Sequence, residues 1–144
     1  MSVCTFMAAD VPLEQAALTR DGYTADIDDS AEYEGFLLAF PEADCYTDKP
    51  YAVFAEWHDT KIAAEQTLAY LKDVLRRADT VELWRVWLGE YWEFEDRPVI
   101  HRRTLAIEEL TAAQLCTFDG LEIWNTPDKR YPSRPSFYCW EIRR

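Results

Sequence analysis

Residues 81–88, with the sequence VELWRVWL, constrain the fold more than any other stretch, because they are apolar on both faces of a strand. One face carries Val81, Leu83 and Trp87, and the other carries Trp84, Val86 and Leu88. A strand that is buried on both sides belongs near the middle of a sheet and needs a covering layer on each face. We therefore expect a sheet that is covered by a helix on one side and by another part of the chain on the other.

Two helices are predicted, each with its own start signal. In residues 60–78 an apolar stripe recurs at helical spacing, and Asp59 or Thr60 can cap its first turn. The stripe consists of Ala64, Leu68, Leu71, Leu75 and Ala78. The second helix follows Thr111, which forms a capping box with Gln114, and Gly120 suits its end.

The remaining apolar runs predict strands at residues 2–8, 35–40, 51–57, 98–107 and 136–142. Residues 13–19 are compatible with a short helix, and residues 21–34 are polar enough for a surface excursion. The order strand, helix, strand, strand, helix, strand predicts a split β-α-β arrangement. The expected fold is α+β: one domain over residues 1–144, with a single-layer mixed or antiparallel sheet and two main helices packed on it.

The charge is strongly acidic and unevenly distributed. The net charge is −12, and the first 50 residues hold eleven acids and two bases. Such a surface repels phosphate backbones and anionic membranes, so we expect no direct nucleic-acid binding. No apolar run approaches the roughly 18 residues that span a membrane. The expected partner is a protein with a basic surface, and the expected state is a monomer or a small homo-oligomer.

The cysteines indicate a reducing compartment rather than a metal site. Cys4, Cys45, Cys116 and Cys139 are scattered, with no C-x-x-C pair, and free thiols are expected. The acidic stretch DIDDSAE begins at Asp26 and superficially resembles a calcium-binding EF-hand loop. Counted from Asp26, the sixth and twelfth positions require Gly and Glu but hold Ala31 and Leu37, so the pattern fails. The N-terminus lacks the basic region of a signal peptide. We expect a soluble cytoplasmic protein without a metal or another cofactor.

Aromatic and acidic residues after Gly89 form the first candidate site. Glu93 and Glu95 share one face of an extended strand, roughly 6.5 to 7 Å apart, and Trp92 lies beside them. Two carboxylates at that separation suit acid–base work on a sugar-like substrate. The structural interpretation is a strand pair in which Glu93 forms a cross-strand ion pair with Arg102.

The two histidines form the second candidate site. His58 ends a predicted strand before a helix, and His101 lies on the same strand face as Arg103. These residues could join an acid–base or ligand site if the two segments met in space. The alternative is that at least one histidine points to solvent.

Three segments carry a resemblance to a known family: CTFMAADVPL, VELWRVWLGEYWEFEDRPVIHRRTL and PSRPSFYCWEI. Together they resemble a family of small bacterial proteins that has no assigned activity. The resemblance extends over nearly the whole chain and implies a cytoplasmic single-domain bacterial protein. It implies no catalytic residue.

Two functions therefore follow from the sequence as hypotheses. The first is a non-enzymatic module that binds a protein or a small ligand. The second is a small enzyme with a Glu/His acid–base site. The candidate ligand-binding residues are His58, Trp92, Glu93, Glu95, His101 and Arg103.

Overall fold

The computed structural model describes residues 2–26, 33–57, 61–88, 98–123 and 135–144. The described strands are β1 (Ser2–Ala9), β2 (Ala16–Thr19), β3 (Gly22–Thr24), β4 (Gly35–Ala39), β5 (Tyr51–Trp57), β6 (Thr80–Leu88), β7 (Val99–Ala106) and β8 (Ser136–Arg143). The α-helices are α1 (Lys61–Val74) and α2 (Ala112–Asp119), and short 3-10 segments occupy Pro41–Cys45 and Ile107–Glu109. No helix in these ranges is long and apolar enough to cross a membrane.

The eight described strands form one mixed sheet in the order β3-β2-β4-β5-β1-β6-β8-β7. Six of the neighbouring pairs are antiparallel, and β7 and β8 are parallel. The parallel pair is joined through α2, because parallel strands need a long crossover connection. The predicted α+β class, with a mixed sheet and two helices, is confirmed.

The expected split β-α-β arrangement is formed by β5, α1 and β6. Both strands run antiparallel to β1, which lies between them, so β5 and β6 are parallel to each other. β6 has β1 on one side and β8 on the other, which gives the two-sided apolar strand its predicted interior position.

One face of the sheet and both helices enclose what we call the helix-side core. It is built by alternate residues of the strands, including Met7, Leu83 and Ile142, together with Leu71 of α1 and Phe118 of α2. All five residues are buried. Because burial of each large apolar side chain contributes about 1.5–3 kcal/mol, this layer accounts for much of the driving force of folding.

The opposite face of the sheet is covered by what we call the aromatic core. Phe6 and Trp84 stack with ring centroids 6.0 Å apart, and Phe40 packs 4.9 Å from Phe6. The first 3-10 segment brings Ala43 and Tyr46 onto this face. The second covering layer is therefore a short 3-10 segment and its flanking aromatic residues.

Three sequence predictions need correction. Residues 13–19 contain the strand β2 rather than a helix, because the buried Ala16–Leu18 stretch pairs with both β3 and β4. A seven-residue helix gains too few hydrogen bonds to compete with such pairing. The expected surface excursion contains β3. Finally, α1 ends at Val74 and continues as a turn to residue 77.

The expected strand pair around residues 90–103 includes residues 90–97, which lie outside the described ranges, so it stays a prediction. The neighbour of β7 is β8, which separates it from β6. Glu93, the predicted partner of Arg102, lies outside the described residues.

The capping box of α2 should contribute measurably to stability. Thr111 Oγ1 accepts a hydrogen bond from the Gln114 backbone N–H at 3.2 Å, and the Gln114 side chain accepts from the Thr111 N–H at 2.8 Å. We expect Thr111→Ala to lower the free energy of unfolding by about 1 kcal/mol in urea titrations. Thr117→Ala, at an exposed position in the last turn of the same helix, is the matched control and should change this free energy little. Equal losses in the two variants would contradict a capping role.

Gly35 of β4 is required for a steric reason. A Cβ atom at this position would lie 2.6 Å from the backbone oxygen of Glu56 on the neighbouring strand. Because backbone cannot move aside cheaply, we expect Gly35→Ala to destabilise the protein by about 1–3 kcal/mol. At Gly120 an added Cβ meets nothing closer than 3.6 Å, so Gly120→Ala should be tolerated. Thermal unfolding of the two variants measures the difference.

Candidate functional site

The structure describes two of the six predicted site residues. His101 and Arg103 lie on β7, whereas His58, Trp92, Glu93 and Glu95 lie outside the described residues. The enzyme hypothesis, in which both histidines meet Glu93, therefore remains a hypothesis, as does the expectation that Glu93 pairs with an arginine.

His101 and Arg103 lie on the helix-side face of the edge strand β7, and both are exposed. His101 Nε2 is 3.1 Å from Ser136 Oγ, and its ring stacks on Tyr138 with centroids 5.1 Å apart. The Arg103 guanidinium lies over the Trp140 ring, 5.3 Å from its centroid. Each side chain is thus held by residues of β8, the parallel neighbour.

A larger arrangement of polar side chains lies on the opposite face of the sheet. A cavity of about 460 Å³, which we call the polar cavity, opens between the loop after the first 3-10 segment and the strands β6 and β7. Its lining includes Asp10, Asp44, Thr47, Asp48, Lys49, Glu82, Trp84 and Arg102.

Glu82 is held in one orientation at the floor of the polar cavity. Its Oε1 atom accepts a hydrogen bond from Thr47 Oγ1 at 2.5 Å and another from Trp84 Nε1 at 3.0 Å. Both donors are buried. The other carboxylate oxygen accepts no hydrogen bond from the residues that the structure describes, so it is available to a ligand.

Arg102 lies over the ring of the same indole. Its guanidinium carbon is 5.5 Å from the Trp84 ring centroid, a cation–π contact that crosses over Cys139 of β8. Across the described ranges Arg102 forms no ion pair. Within the described structure, its planar group of N–H donors is therefore held against the indole without a carboxylate partner.

Lys49, the other cation of the polar cavity, is already paired. Its Nζ atom lies 2.8 Å from Asp10 Oδ2. The hydrogen bond to this carboxylate raises the pKa of Lys49, and burial opposes the shift. Among the cations of the lining, Arg102 is thus the one that can neutralise an incoming anionic group.

A smaller cavity of about 290 Å³ lies on the helix side of the sheet. Arg85 Nη1 donates to Thr5 Oγ1 at 3.0 Å and lies 3.3 Å from Asp119 Oδ1, which also accepts from Thr5 at 2.7 Å. This cluster joins the end of α2 to β1 and β6, and its groups satisfy one another. We interpret it as a structural connection between the helix and the sheet.

Two buried cysteines next to these cavities are not nucleophiles at neutral pH. Burial raises the pKa of the Cys4 thiol to about 12, although Arg85 opposes the shift. Burial likewise raises the pKa of Cys139 to about 12. Because the thiolate is the reactive form, both groups remain neutral and inert near pH 7.

The signal for the polar cavity in the sequence is a pair of charges within a strand and not a recognisable motif. Glu82 and Arg85 are the charged residues within the otherwise apolar 81–88 stretch. A charge in a two-sided buried strand is informative, because it must find a partner or a solvated cavity. In the structure each of the two lines a cavity, one on each face of the sheet.

Comparison with known proteins does not assign a family. A scan against models of protein families gives no match, and searches of the curated proteins and of the solved structures give no significant match. The resemblance drawn from the sequence remains a prediction.

The thiol environments predict two classes of reactivity. At pH 8 a thiol with a pKa of about 12 is ionised in roughly one molecule in 10,000. Burial and Asp44 also raise the pKa of Cys45, but this thiol is exposed to the reagent whereas Cys4 and Cys139 are buried. We expect iodoacetamide to label Cys45 in the folded protein and to label Cys4 and Cys139 only after unfolding in urea. Peptide mass spectrometry measures the three sites separately. Labelling of Cys4 or Cys139 as fast as Cys45 in the folded protein would reveal an activated thiol.

Proposed function

We propose that this chain is a non-enzymatic binding module that takes a small polar ligand into the polar cavity. One observation supports this most directly: Glu82 and Arg102 are oriented by the same indole and face one cavity without pairing with each other within 4 Å in the described structure. Opposite charges that are fixed in place but unpaired are typical of a preorganised binding site, since the cost of ordering them is met during folding.

The size and the walls of the cavity support the same function. Its volume of about 460 Å³ falls in the range of small-molecule pockets. Trp84 belongs both to the aromatic core and to the cavity wall, so the core holds that wall rigid. A rigid wall with a few oriented polar groups gives selectivity between small ligands.

The positions of His101 and Cys139 favour binding without catalysis. His101 lies on the other face of the sheet from Arg102, because successive strand residues point to opposite faces. It therefore does not supply a base to this cavity. Cys139, packed beneath the Trp84–Arg102 contact, is a neutral thiol.

A protein partner with a basic surface is the second candidate. Asp44 and Asp48 line the polar cavity and are exposed, so they add negative charge where a partner would approach. Binding of such a partner should weaken as salt is raised, and it should weaken further in the double variant Asp44→Asn/Asp48→Asn.

The cysteines support a cytoplasmic setting for either candidate. The four cysteines, all within the described residues, form no disulfide with one another, and Cys45 is exposed. An exposed thiol is best preserved in a reducing compartment. We therefore propose that the protein works in the cytoplasm.

The adjacent arginines of β7 provide a matched test of the binding function. Both stack on a tryptophan, but Arg102 lines the polar cavity and Arg103 lies on the opposite face. In ligand-observed NMR with a panel of amino acids, simple carboxylates, simple amines and sugars, we expect at least one saturable binder. Its signal should be lost in Arg102→Gln and kept in Arg103→Gln.

The same panel tests the absence of catalysis. The bound compound should be recovered chemically unchanged after prolonged incubation with the protein. Conversion of the compound would support the enzyme alternative, and a binder that depends on Arg103 instead of Arg102 would move the site to the other face of the sheet.

A further inference from the structure

We infer that the ligand of the polar cavity carries a carboxylate and an ammonium group together, as a free α-amino acid does; this inference rests on the binding function proposed above. Arg102 would receive the carboxylate, and Glu82 would receive the ammonium group.

The carboxylate group of the ligand is inferred from the surroundings of Arg102. The guanidinium carbon lies over the Trp84 ring, 5.5 Å from its centroid, and the described residues provide no carboxylate partner for this group. A guanidinium offers two parallel N–H donors that match the two oxygens of a carboxylate. Lys49 does not compete strongly for this group, because Asp10 already holds it at 2.8 Å.

The ammonium group of the ligand is inferred from Glu82 and its surroundings. Thr47 and Trp84 occupy one of its carboxylate oxygens, which leaves the other oriented for a further donor. Asp44 and Asp48 add negative charge to the same lining. An ammonium group with three N–H donors suits this side of the cavity.

The mixed charge of the lining disfavours ligands that carry charge of only one sign. The lining contains four carboxylates, from Asp10, Asp44, Asp48 and Glu82, and two cations. A ligand with negative charge alone would be repelled by the acids, and a ligand with positive charge alone would leave Arg102 without a partner. A zwitterion satisfies both fixed charges at once.

The upper limit on the separation of the two charges leaves room for one amino acid. The guanidinium carbon is 5.5 Å from the indole centroid, and Glu82 Oε1 is 3.0 Å from the indole nitrogen. The two groups therefore lie within about 11 Å of each other, and an α-amino acid hydrogen-bonded at both ends spans about 9 Å. Its side chain would occupy the remaining volume, so side-chain size should affect affinity.

Isothermal titration calorimetry on the full chain, with the twenty free amino acids as probes, tests the inference. We expect at least one to bind. The N-acetyl and the carboxamide derivative of the same amino acid, each lacking one charge, should bind about tenfold more weakly or worse. Arg102→Gln and Glu82→Gln should each lower the affinity for the free amino acid by a similar factor. Arg103→Gln should leave that affinity unchanged.

The variants separate a folding defect from a binding defect. Arg102 is exposed, so Arg102→Gln should keep the urea midpoint of the unmodified chain even if the partly buried Glu82→Gln variant does not. The Arg102→Gln variant should also bind the free amino acid and its carboxamide with similar affinity, because it lacks the guanidinium that is proposed to bind the carboxylate. A purely structural role for Arg102 would leave that discrimination intact and overturn the inference.

The remaining outcomes distinguish failure of the inference from failure of the binding function. If a derivative with one charge binds as tightly as the free amino acid, the zwitterion inference is wrong and the binding function stands. The same holds if only simple amines, carboxylates or sugars bind in an Arg102-dependent way. If no compound of either panel binds, both the inference and the small-ligand function are wrong.

Discussion

The burial of β6 on both faces is the constraint on which the rest of the structure depends. Val81 and Leu83 point into the helix-side core, and Trp84 and Val86 point into the aromatic core. Each of these side chains is at most 2% exposed. A strand in this state must have a neighbour on each edge and a layer on each face, because an uncovered face would forfeit about 1.5–3 kcal/mol for each large residue. The helices supply one layer, and the first 3-10 segment with its flanking aromatic residues supplies the other.

The two charges within β6 show where each covering layer stops. An ionised side chain in a central strand is costly unless polar partners or solvent reach it. Glu82 obtains Thr47 and the Trp84 indole on one face, and Arg85 obtains Thr5 and Asp119 on the other. Each charge lines a cavity. The Arg85 cluster is internally satisfied and joins α2 to the sheet, whereas the Glu82 side retains an oriented, unpaired carboxylate oxygen within the described structure.

Trp84 couples the fold to the proposed function. Its ring stacks on Phe6 in the aromatic core, donates a hydrogen bond to Glu82 and supports the guanidinium of Arg102. The cavity charges are therefore held by a group that cannot move without disturbing the core. Packing of this kind lowers the ordering cost of binding, because the site is already formed in the free protein. It also links the proposed binding residues to the stability of the fold, which is why exposed Arg102 is a better probe of the proposed site than Trp84 itself.

The sequence by itself determined the elements whose signals are local. The capping box at Thr111, the apolar stripe of α1 and the two-sided burial of β6 each depend on spacing within one segment, so they could be predicted. Only the tertiary structure decided which strands are neighbours. Alternation along β7 showed that Arg102 and Arg103 face opposite sides, but not that β8 would lie between β6 and β7 and bring Arg102 over Trp84. The strand period fixes the face of a side chain and carries no information about the strand beside it. The polar cavity, which joins β6, β7 and a loop far apart in the chain, was therefore decided by packing.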